Sequence, residues 1–451
     1  MKQYDIAIIG GGPAGVTCAL TAKITYPDKK IVLIRNEEKP MIPCGIPYIF
    51  STLPEVNDNV LPDNPLLSNQ IEILHDEVTG RNDHKLILAG NGEIGFEKLV
   101  IASGSKAVLP PIEGIEKENV FLIRKDKNYL EDLKIRISHS EKIVILGGGY
   151  IGVEVADELV KSKKDITIIE MMDTLLPTMD NEFGEKITDL LCKEGVKVIT
   201  GKSIVKVLGN TLVNAVELDD KSLVVCDLLI VAVGYKPNME LADKFGLVTE
   251  KGKGILVDAY LRTSEKDIFA IGDCAAKYDF FTGEYSNIML ASTAMAEGRL
   301  VGSNLYSIRV IRQYPGVLGS FSTKIGGIAF AVCGITERRA KARLLDYTIG
   351  TAKAVDRHPG KLPGASEVTV KLIFSTYSHT LMGAQIIGGD SAGEMINIMS
   401  VMILNKMTDI DINNLQIGTH PLLTASPIAY PIINATMDAI KKWYKKEFAQ
   451  Y

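Results

Sequence analysis

The sequence has few aromatic residues and no strong excess of either charge. Aromatic residues make up 6% of the 451 residues, with a single tryptophan, which disfavours a surface on which nucleic-acid bases stack. The formal net charge of −5 likewise predicts no general surface for polyanions. We therefore expect no nucleic-acid partner.

Closely spaced cysteines are also missing. The six cysteines form no CxxC pair and no spacing typical of zinc ligands, so we expect no metal site. Cysteines at such wide spacings in a long chain are typical of reduced thiols in the cytoplasm. We expect Cys18, Cys192 and Cys226 to be buried and unreactive.

No stretch is long and apolar enough to predict a membrane span. The longest segment without Asp, Glu, Lys or Arg covers residues 412–437, but Pro421, Pro427 and Pro431 interrupt it. A span needs about 20 predominantly apolar residues. The first predicted strand begins almost at Met1, which leaves no room for a targeting peptide before it. These features predict a cytoplasmic protein without membrane insertion.

One motif occurs twice. Residues 4–35 comprise an apolar strand, a glycine-rich turn, a helical stretch and a second apolar strand, and residues 142–170 repeat this order. The two turns have the sequences GGGPAG and GGGYIG. A GxGxxG turn between a strand and a helix is typical of a unit that binds a dinucleotide.

The chemistry of such a unit explains its glycines. The first allows a tight turn, the second lets a pyrophosphate approach the backbone, and the third lets the helix pack against the strand. The phosphates then lie at a helix N-terminus, where free N–H groups favour negative charge. We predict two dinucleotide sites, formed by Gly10, Gly12, Pro13, Ala14 and Gly15 and by Gly147, Gly149, Tyr150, Ile151 and Gly152.

The two copies differ in the residue at the end of their second strand, which is Arg35 in the first copy and Glu170 in the second. Glu170 can accept hydrogen bonds from both ribose hydroxyls of NADH, and its carboxylate would repel a 2′-phosphate. NADH is therefore favoured over NADPH. The first copy has Arg35 here, which we expect to lie at the cofactor but which cannot accept hydrogen bonds. Glu37 and Glu38 are the alternative acceptors, and the sequence does not decide between them.

Further motifs resemble the pyridine nucleotide-disulfide oxidoreductase family. Residues 263–273 resemble the family's second FAD motif, whose aspartate binds the ribityl chain of the flavin. Residues 101–104 resemble the turn that closes the FAD domain, and residues 229–238 resemble the segment that returns the chain to that domain. The resemblance implies that FAD is bound by Ala102, Ser103, Gly104, Gly272 and Asp273, and that Gly234 also lies at a cofactor.

Cys44 lies in a segment, residues 41–48, that resembles the motif of a subgroup with one redox cysteine. The subgroup comprises coenzyme A-disulfide reductases, NAD(P)H:polysulfide or sulfur reductases, NADH oxidases and NADH peroxidases. The resemblance implies an FAD-dependent enzyme that passes a hydride from NADH to the flavin. The electrons would continue through catalytic Cys44 to coenzyme A disulfide, polysulfide or sulfur, or they would pass to oxygen. The alternative is a redox-sensing or electron-transfer flavoprotein with a protein partner.

Several residues depart from the subgroup patterns. Pro13 stands where peroxidases and many oxidases carry a histidine, which disfavours a peroxidase. Lys361 and Thr419 stand roughly where the coenzyme A enzymes carry tyrosines, which disfavours the usual recognition of coenzyme A. His420 precedes a proline, as does the acid/base histidine that the partner subunit supplies in reductases with two redox cysteines. We take His420 as the second catalytic candidate.

The surroundings of Cys44 also predict a local structure. Pro43 favours an extended or turning entry, and residues 45–50 can begin a helix that tolerates Pro47 only in its first turn. Cys44 would then lie at a helix N-terminus, which lowers the pKa of a thiol.

The predicted fold class is α/β, with two Rossmann-like dinucleotide-binding domains, one for FAD and one for NAD, and a C-terminal α+β dimerisation domain. Predicted strands 367–374 and 380–387 and helical stretches 392–405 and 428–445 resemble the family's interface domain, which implies a homodimer. The expected boundaries are residues 1–110 and 240–318 for the FAD domain, 111–239 for the NAD(H) domain, and 319–451 for the dimerisation domain.

Overall fold

The computed structural model describes residues 1–90, 92–313 and 316–448. Two compact units are present. The first comprises Met1–Ile143, Lys206–Ala215 and Val225–Val317, and the second comprises Val144–Val205, Val216–Val224 and the chain from Leu318 onward. The three-domain division stays a prediction, because compact units describe packing rather than separate binding functions.

Helices and strands alternate over residues 2–75 and 127–200, whereas runs of consecutive strands make up much of the remainder of the described chain. The helices are α1 (Pro13–Thr25), α2 (Asn64–Ser68), α3 (Lys127–His139), α4 (Tyr150–Val160), α5 (Asn181–Lys193), α6 (Glu240–Phe245), α7 (Ala291–Asn304), α8 (Glu337–Ala342), α9 (Ala392–Leu404), α10 (Asp409–Asn413) and α11 (Pro431–Phe448). The strands are β1 (Lys2–Ile9), β2 (Ile31–Arg35), β3 (Glu72–His75), β4 (Val78–Asn82), β5 (Lys85–Leu88), β6 (Gly92–Ile101), β7 (Ser105–Ala107), β8 (Val120–Leu122), β9 (Lys142–Leu146), β10 (Asp165–Glu170), β11 (Lys197–Thr200), β12 (Ile204–Leu208), β13 (Ala215–Leu218), β14 (Leu223–Val225), β15 (Leu228–Val231), β16 (Tyr235–Pro237), β17 (Thr249–Glu250), β18 (Gly254–Ile255), β19 (Ile268–Ala270), β20 (Lys277–Tyr278), β21 (Tyr285–Ser286), β22 (Phe321–Ile325), β23 (Ile328–Gly334), β24 (Tyr347–Val355), β25 (Glu367–Ser375) and β26 (Leu381–Gly388).

The first unit is built on a seven-stranded sheet. Its order is β3-β2-β1-β6-β5-β4, and β19 pairs with β6. Strands β2, β1, β6 and β19 are mutually parallel, and Ile8, Leu33 and Val100 are fully buried in its core. Because the carboxyl ends of parallel strands meet at one edge, the loops that follow β1, β6 and β19 come together there. All three loops carry predicted cofactor residues.

The second glycine turn belongs to the second unit. It connects β9 to α4, and Gly147 N–H donates to the Ile169 carbonyl of β10 at 2.8 Å. Strand β10 pairs in parallel with β11. Helix α4 buries Val153, Ala156 and Leu159, a spacing of three residues that places them on one helical face. The predicted strand–turn–helix–strand order is confirmed in both copies.

The C-terminal part of the second unit is an antiparallel sheet covered by helices. The strand order is β22-β23-β26-β25-β24; α9 packs on β23 and β26, and α11 packs on β24 and β25. Met399 and Met402 of α9 are buried, so these methionines belong to the core. Helix α11 begins at Pro431, three residues later than predicted, because proline is well tolerated at the first helical position.

A buried lysine ties α5 to this sheet. The Nζ atom of Lys371, in β25, lies 2.9 Å from Asp180 and 2.8 Å from Glu337, and it also pairs with Glu182. Asp180 in addition accepts hydrogen bonds from the backbone N–H groups at the start of α8. Burial alone would lower the pKa of Lys371, but the three carboxylates outweigh it and raise that pKa above its ordinary value.

Helix α4 contacts the same sheet through its polar residues. Thr323 Oγ1 donates to Glu154 at 2.7 Å, and the backbone N–H of Gly326 donates to Asp157 at 2.8 Å. The rings of Tyr150 and Phe321 meet edge to face, with centroids 3.9 Å apart.

Among the described residues, no helix has both the length and the apolar composition that crossing a membrane requires.

Candidate active site

The first glycine turn has the geometry of a dinucleotide cradle. Gly10 has a φ of +115°, and a Cβ there would lie 2.1 Å from the Ala102 carbonyl oxygen. A Cβ on Gly15 would lie 2.0 Å from the Gly10 carbonyl oxygen, so α1 approaches β1 as closely as only glycine permits. A Cβ on Gly12, by contrast, would have no atom of the other described residues within 4 Å, apart from its chain neighbours, and Gly12 precedes α1 without a side-chain cap. This open face and the free helix N–H groups fit a pyrophosphate.

The second turn reproduces the first in detail. A Cβ on Gly152 would lie 1.9 Å from the Gly147 carbonyl oxygen, and Gly149 again faces open space. The backbone angles of Gly149 (φ −74°, ψ −174°) nearly equal those of Gly12 (φ −78°, ψ −177°). The residues of both turns therefore fit the same kind of ligand group.

Glu170 lies at the end of β10, where the sequence predicts it. Its carboxylate accepts hydrogen bonds from the backbone N–H of Gly148 at 2.6 Å and of Met172 at 2.8 Å. The side chain thus supports the glycine turn directly. A carboxylate has about four acceptor positions, so positions remain for ribose hydroxyls.

Asp273 lies beside the first glycine turn. A Cβ on its neighbour Gly272 would lie 2.9 Å from the Ala14 Cβ, which places the two turns in contact. Asp273 Oδ2 accepts hydrogen bonds from Ser105 Oγ at 2.7 Å and from Lys125 Nζ at 3.4 Å. The sequence did not predict Ser105 and Lys125 as site residues, because neither belongs to a motif.

Ser103, Gly104 and Gly234, which are also predicted cofactor residues, lie in the same unit. Ser103 Oγ donates to the Asn238 carbonyl at 3.0 Å, and Asn238 N–H donates to the Gly104 carbonyl at 3.0 Å. Gly234 has a φ of +104°, and its carbonyl accepts from Val108 N–H. Residues 102–104, Gly234 and Asp273 are therefore joined through β7, β16 and their flanking turns, although they lie far apart in the sequence.

Arg35 lies at the end of β2 with its side chain fully buried. Its guanidinium pairs with both carboxylate oxygens of Asp63 at 2.7 Å. Glu37 and Glu38 contribute only backbone carbonyls to it, at 3.0 and 3.1 Å, and both residues are exposed. The sequence missed Asp63, because no pattern links positions 28 residues apart.

Cys44 is exposed and lies in a short 3-10 helix, Pro43–Gly45. A second 3-10 helix, Pro47–Phe50, follows. The prediction of Cys44 at a helix N-terminus is wrong, because prolines at positions 43 and 47 allow two single turns rather than a continuous helix. Residues 43–50 therefore provide no α-helix dipole for the Cys44 thiol.

A buried asparagine fixes the backbone around Cys44. Asn59 is 3% exposed, and its Nδ2 donates to the Ile42 carbonyl at 3.0 Å. Ile42 N–H donates in return to the Asn59 carbonyl at 2.9 Å. A Cβ on Gly45 would lie 1.9 Å from Asn59 Oδ1, so Asn59 contacts the turn on both sides of Cys44.

Exposure separates the six cysteines. Cys18, Cys226, Cys274 and Cys333 are buried. Burial raises the pKa of the Cys18, Cys226 and Cys333 thiols to about 12 and also raises the pKa of Cys274. Cys192 is exposed, so the prediction that it is buried is wrong. Cys44 and Cys192 are thus the two exposed thiols.

His420 lies in an exposed loop of the second unit. The Leu422 backbone N–H donates to His420 Nδ1 at 3.3 Å, so in the neutral ring the proton resides on Nε2. His420 N–H donates to Thr424 Oγ1 at 3.0 Å, which fixes the loop. The catalytic role of His420 stays a prediction.

Glu154 is a titratable group that the sequence missed. It lies on α4, close to the second glycine turn, and burial raises the pKa of its carboxyl to about 7, although the hydrogen bond from Thr323 partly offsets this effect. An acid in an amphipathic helix gives no sequence signal, because most such residues face solvent.

The comparison with known protein families accounts for both glycine turns and the C-terminal sheet. Residues 4–298 match the pyridine nucleotide-disulphide oxidoreductase family, and residues 321–428 match the dimerisation domain of the same family. The chain belongs to this family. As a pyridine nucleotide-disulphide oxidoreductase it is an enzyme that uses a flavin and NAD(P)H.

Individual relatives of the oxidoreductase cover nearly all of the chain. The NADH oxidase of Methanocaldococcus jannaschii is 32% identical over 97% of this chain and 99% of the relative. The NAD(P)H coenzyme A polysulfide/persulfide reductase of Pyrococcus horikoshii is 29% identical over 86% and 88% of the two chains. The solved NAD-dependent persulfide reductase from A. fulgidus is 29% identical, with a TM-score of 0.89 over 97% of this chain and 83% of that chain.

The predicted fold class of the oxidoreductase is confirmed. The chain combines two Rossmann-like domains with a C-terminal dimerisation domain. The family membership implied by the sequence motifs is likewise confirmed. The roles of the individual site residues stay predictions.

Proposed function

We propose that the protein transfers a hydride from NADH to FAD and passes the electrons through Cys44 to a sulfur substrate. The observation that carries this proposal is the exposed thiol of Cys44, in the unit that contains the first glycine turn. Relatives named polysulfide/persulfide reductase support a sulfur substrate.

The residues described above divide into two cofactor sites. FAD would be held by Gly10, Gly12, Ala14 and Gly15 with residues 102–104 and Asp273, and NADH by Gly147, Gly149, Gly152 and Glu170. The dimerisation domain supports a homodimer, and a cytoplasmic location stays a prediction.

Cys44 would perform nucleophilic chemistry on sulfur. Its thiolate attacks one sulfur of a disulfide or polysulfide, forms a mixed disulfide and displaces the other sulfur as a thiolate or persulfide. The leaving group takes up a proton, and by the resemblance His420 is the candidate acid. Two electrons then cleave the mixed disulfide, which restores the Cys44 thiolate and releases the second sulfur as a thiolate or sulfide. A bound flavin supplies such two-electron chemistry.

Oxygen is the second candidate acceptor, because a relative with 32% identity is named NADH oxidase. We expect the purified protein to oxidise NADH under anaerobic conditions when polysulfide is supplied. The measurement is NADH absorbance with polysulfide, coenzyme A disulfide or oxygen as the sole acceptor. Turnover with oxygen but with neither polysulfide nor coenzyme A disulfide would contradict the sulfur proposal. Rapid flavin reduction without turnover on any of these acceptors would favour a redox sensor or carrier.

Glu170→Ala is expected to weaken NADH binding by about tenfold to a hundredfold, the effect of losing a charge-assisted hydrogen bond to ribose. The substitution also removes the bonds to Gly148 and Met172, and this structural loss affects NADH and NADPH equally. The value of kcat/KM for NADH divided by that for NADPH therefore reports the ribose contribution alone. This quotient should be lower in Glu170→Ala than in the wild type. Equal wild-type efficiency with NADPH would contradict the assignment.

A further inference from the structure

The buried guanidinium of Arg35 pairs with the partly exposed carboxylate of Asp63, at the strand end where dinucleotide-binding units commonly carry a ribose-binding acid. The Cδ atom of Arg35 lies 2.6 Å from the position that a Cβ on Gly11 would occupy. The Arg35 side chain therefore runs directly against the first glycine turn. Its guanidinium then meets both oxygens of Asp63.

The carboxylate of Asp63 is fixed and still has acceptor capacity. The side chain is 33% exposed, and each oxygen accepts one N–H from Arg35, whereas a carboxylate can accept about four. Asp63 precedes α2 without capping it through its side chain. Hydrogen bonds from Arg35 hold the pKa of Asp63 below its ordinary value, so the group remains charged.

The neighbouring acids do not share this arrangement. Glu37 and Glu38 hydrogen-bond to Arg35 through their backbone carbonyls, so their side chains are not held by the guanidinium. A 2′-phosphate is also disfavoured at this position. The charge of the Arg35 guanidinium is already neutralised by Asp63, and the carboxylate of Asp63 would repel the phosphate.

We propose that Asp63, oriented by Arg35, accepts hydrogen bonds from the adenosine ribose hydroxyls of the dinucleotide at the first glycine turn. This acid would perform from a loop the task that a strand-end acid performs in other units. The proposal rests on the proposed function only in taking that dinucleotide to be FAD.

The test measures FAD affinity rather than turnover. Apoprotein is titrated with FAD and with an FAD analogue that carries 2′-deoxyadenosine, and flavin fluorescence reports the Kd. Asp63→Asn should weaken FAD binding by about tenfold to a hundredfold. The analogue should bind the wild type more weakly than FAD does, and this difference should disappear in Asp63→Asn. Glu38→Gln is the matched control and should change the FAD Kd by less than about twofold.

A second variant guards against loss of folding, because Asp63→Asn leaves Arg35 buried without a carboxylate. Arg35→Gln/Asp63→Asn contains no buried charge and should show the same loss of discrimination between FAD and the analogue. The proposal is overturned if either variant discriminates as the wild type does, or if the wild type binds both flavins equally. Preferential binding of FMN by the wild type would instead contradict FAD as the cofactor.

Discussion

Replacing Cys44 with serine is expected to reduce turnover on sulfur substrates by about three orders of magnitude or more, as removal of a covalent nucleophile does. A serine hydroxyl stays protonated near neutral pH and cannot exchange with a disulfide, whereas a thiolate can. FAD binding and reduction of the flavin by NADH should persist. Stopped-flow flavin reduction and steady-state assays with polysulfide separate the two half-reactions.

The chain offers a control for Cys44→Ser in Cys192, the other exposed cysteine. Cys192→Ser should retain wild-type rates. In Cys44→Ser any oxygen consumption should yield peroxide, since no sulfenic acid can form at position 44 to carry the reduction on to water. Wild-type activity of Cys44→Ser on every sulfur substrate would refute a role for this thiol and favour direct oxidation of the flavin.

Lys371→Met is expected to lower the free energy of unfolding by about 3–5 kcal/mol, the usual cost of leaving buried charges without their partner. The Lys371 side chain is 6% exposed and pairs with three carboxylates. Methionine fills a similar volume but leaves Asp180, which is 4% exposed, without a cation. Urea unfolding of the holoenzyme at fixed protein concentration measures the loss, because oligomerisation and bound cofactor both affect stability.

The effect of Lys371→Met should depend on pH. Burial tends to raise the pKa of Glu337, but hydrogen bonds from Lys341 and Lys371 outweigh it and lower that pKa to about 2. A lowered carboxyl pKa stabilises the fold above the unfolded-state value of about 4.3, and this contribution is lost as the pH falls toward 2. The difference between the variant and the wild type should therefore shrink below about pH 4.

Lys353→Met is the matched control for Lys371→Met. Lys353 and Glu367 belong to the same sheet, but their side chains are 70% and 67% exposed, and exposed pairs contribute about 0–1 kcal/mol. Similar losses in the two variants would show that the buried cluster contributes no more than a surface pair. A loss in Lys371→Met that stays constant down to pH 3 would exclude the carboxylates as its cause.

The sequence predicted both dinucleotide-binding units correctly because their determinants are local. Glycine spacing, apolar strands and helical periodicity all lie within about 35 residues. The predicted second copy, residues 142–170, starts with β9 at Lys142 and ends with β10 at Glu170, and β2 ends at Arg35, the last residue of the predicted first copy. Family motifs also brought together residues such as Ser103, Gly234 and Asp273, whose proximity no local pattern reveals.

The errors arose where tertiary contacts or proline chemistry decide the structure. The Arg35–Asp63 pair depends on a loop whose path no periodicity encodes. At Cys44, the structure has two separate 3-10 turns, each of which begins at a proline, in place of the helix predicted to begin within residues 45–50. The residues Phe183, Ile187 and Leu191 form the buried face of α5. Cys192 is one position beyond Leu191, and this one step along the helix places it on the solvent side.

The contacts between α4, α5 and the C-terminal sheet have a consequence for protein engineering. A nucleotide-binding segment cut out at residues 144–205 and grafted into another protein would lose Phe321, Thr323 and Lys371. Tyr150 would then lose its ring contact and Glu154 its hydrogen bond from Thr323, and Asp180 would lose its cation. The segment is therefore not an interchangeable cassette: recombination between homologues should exchange it together with the C-terminal sheet, so that these two parts of the chain are inherited as a pair.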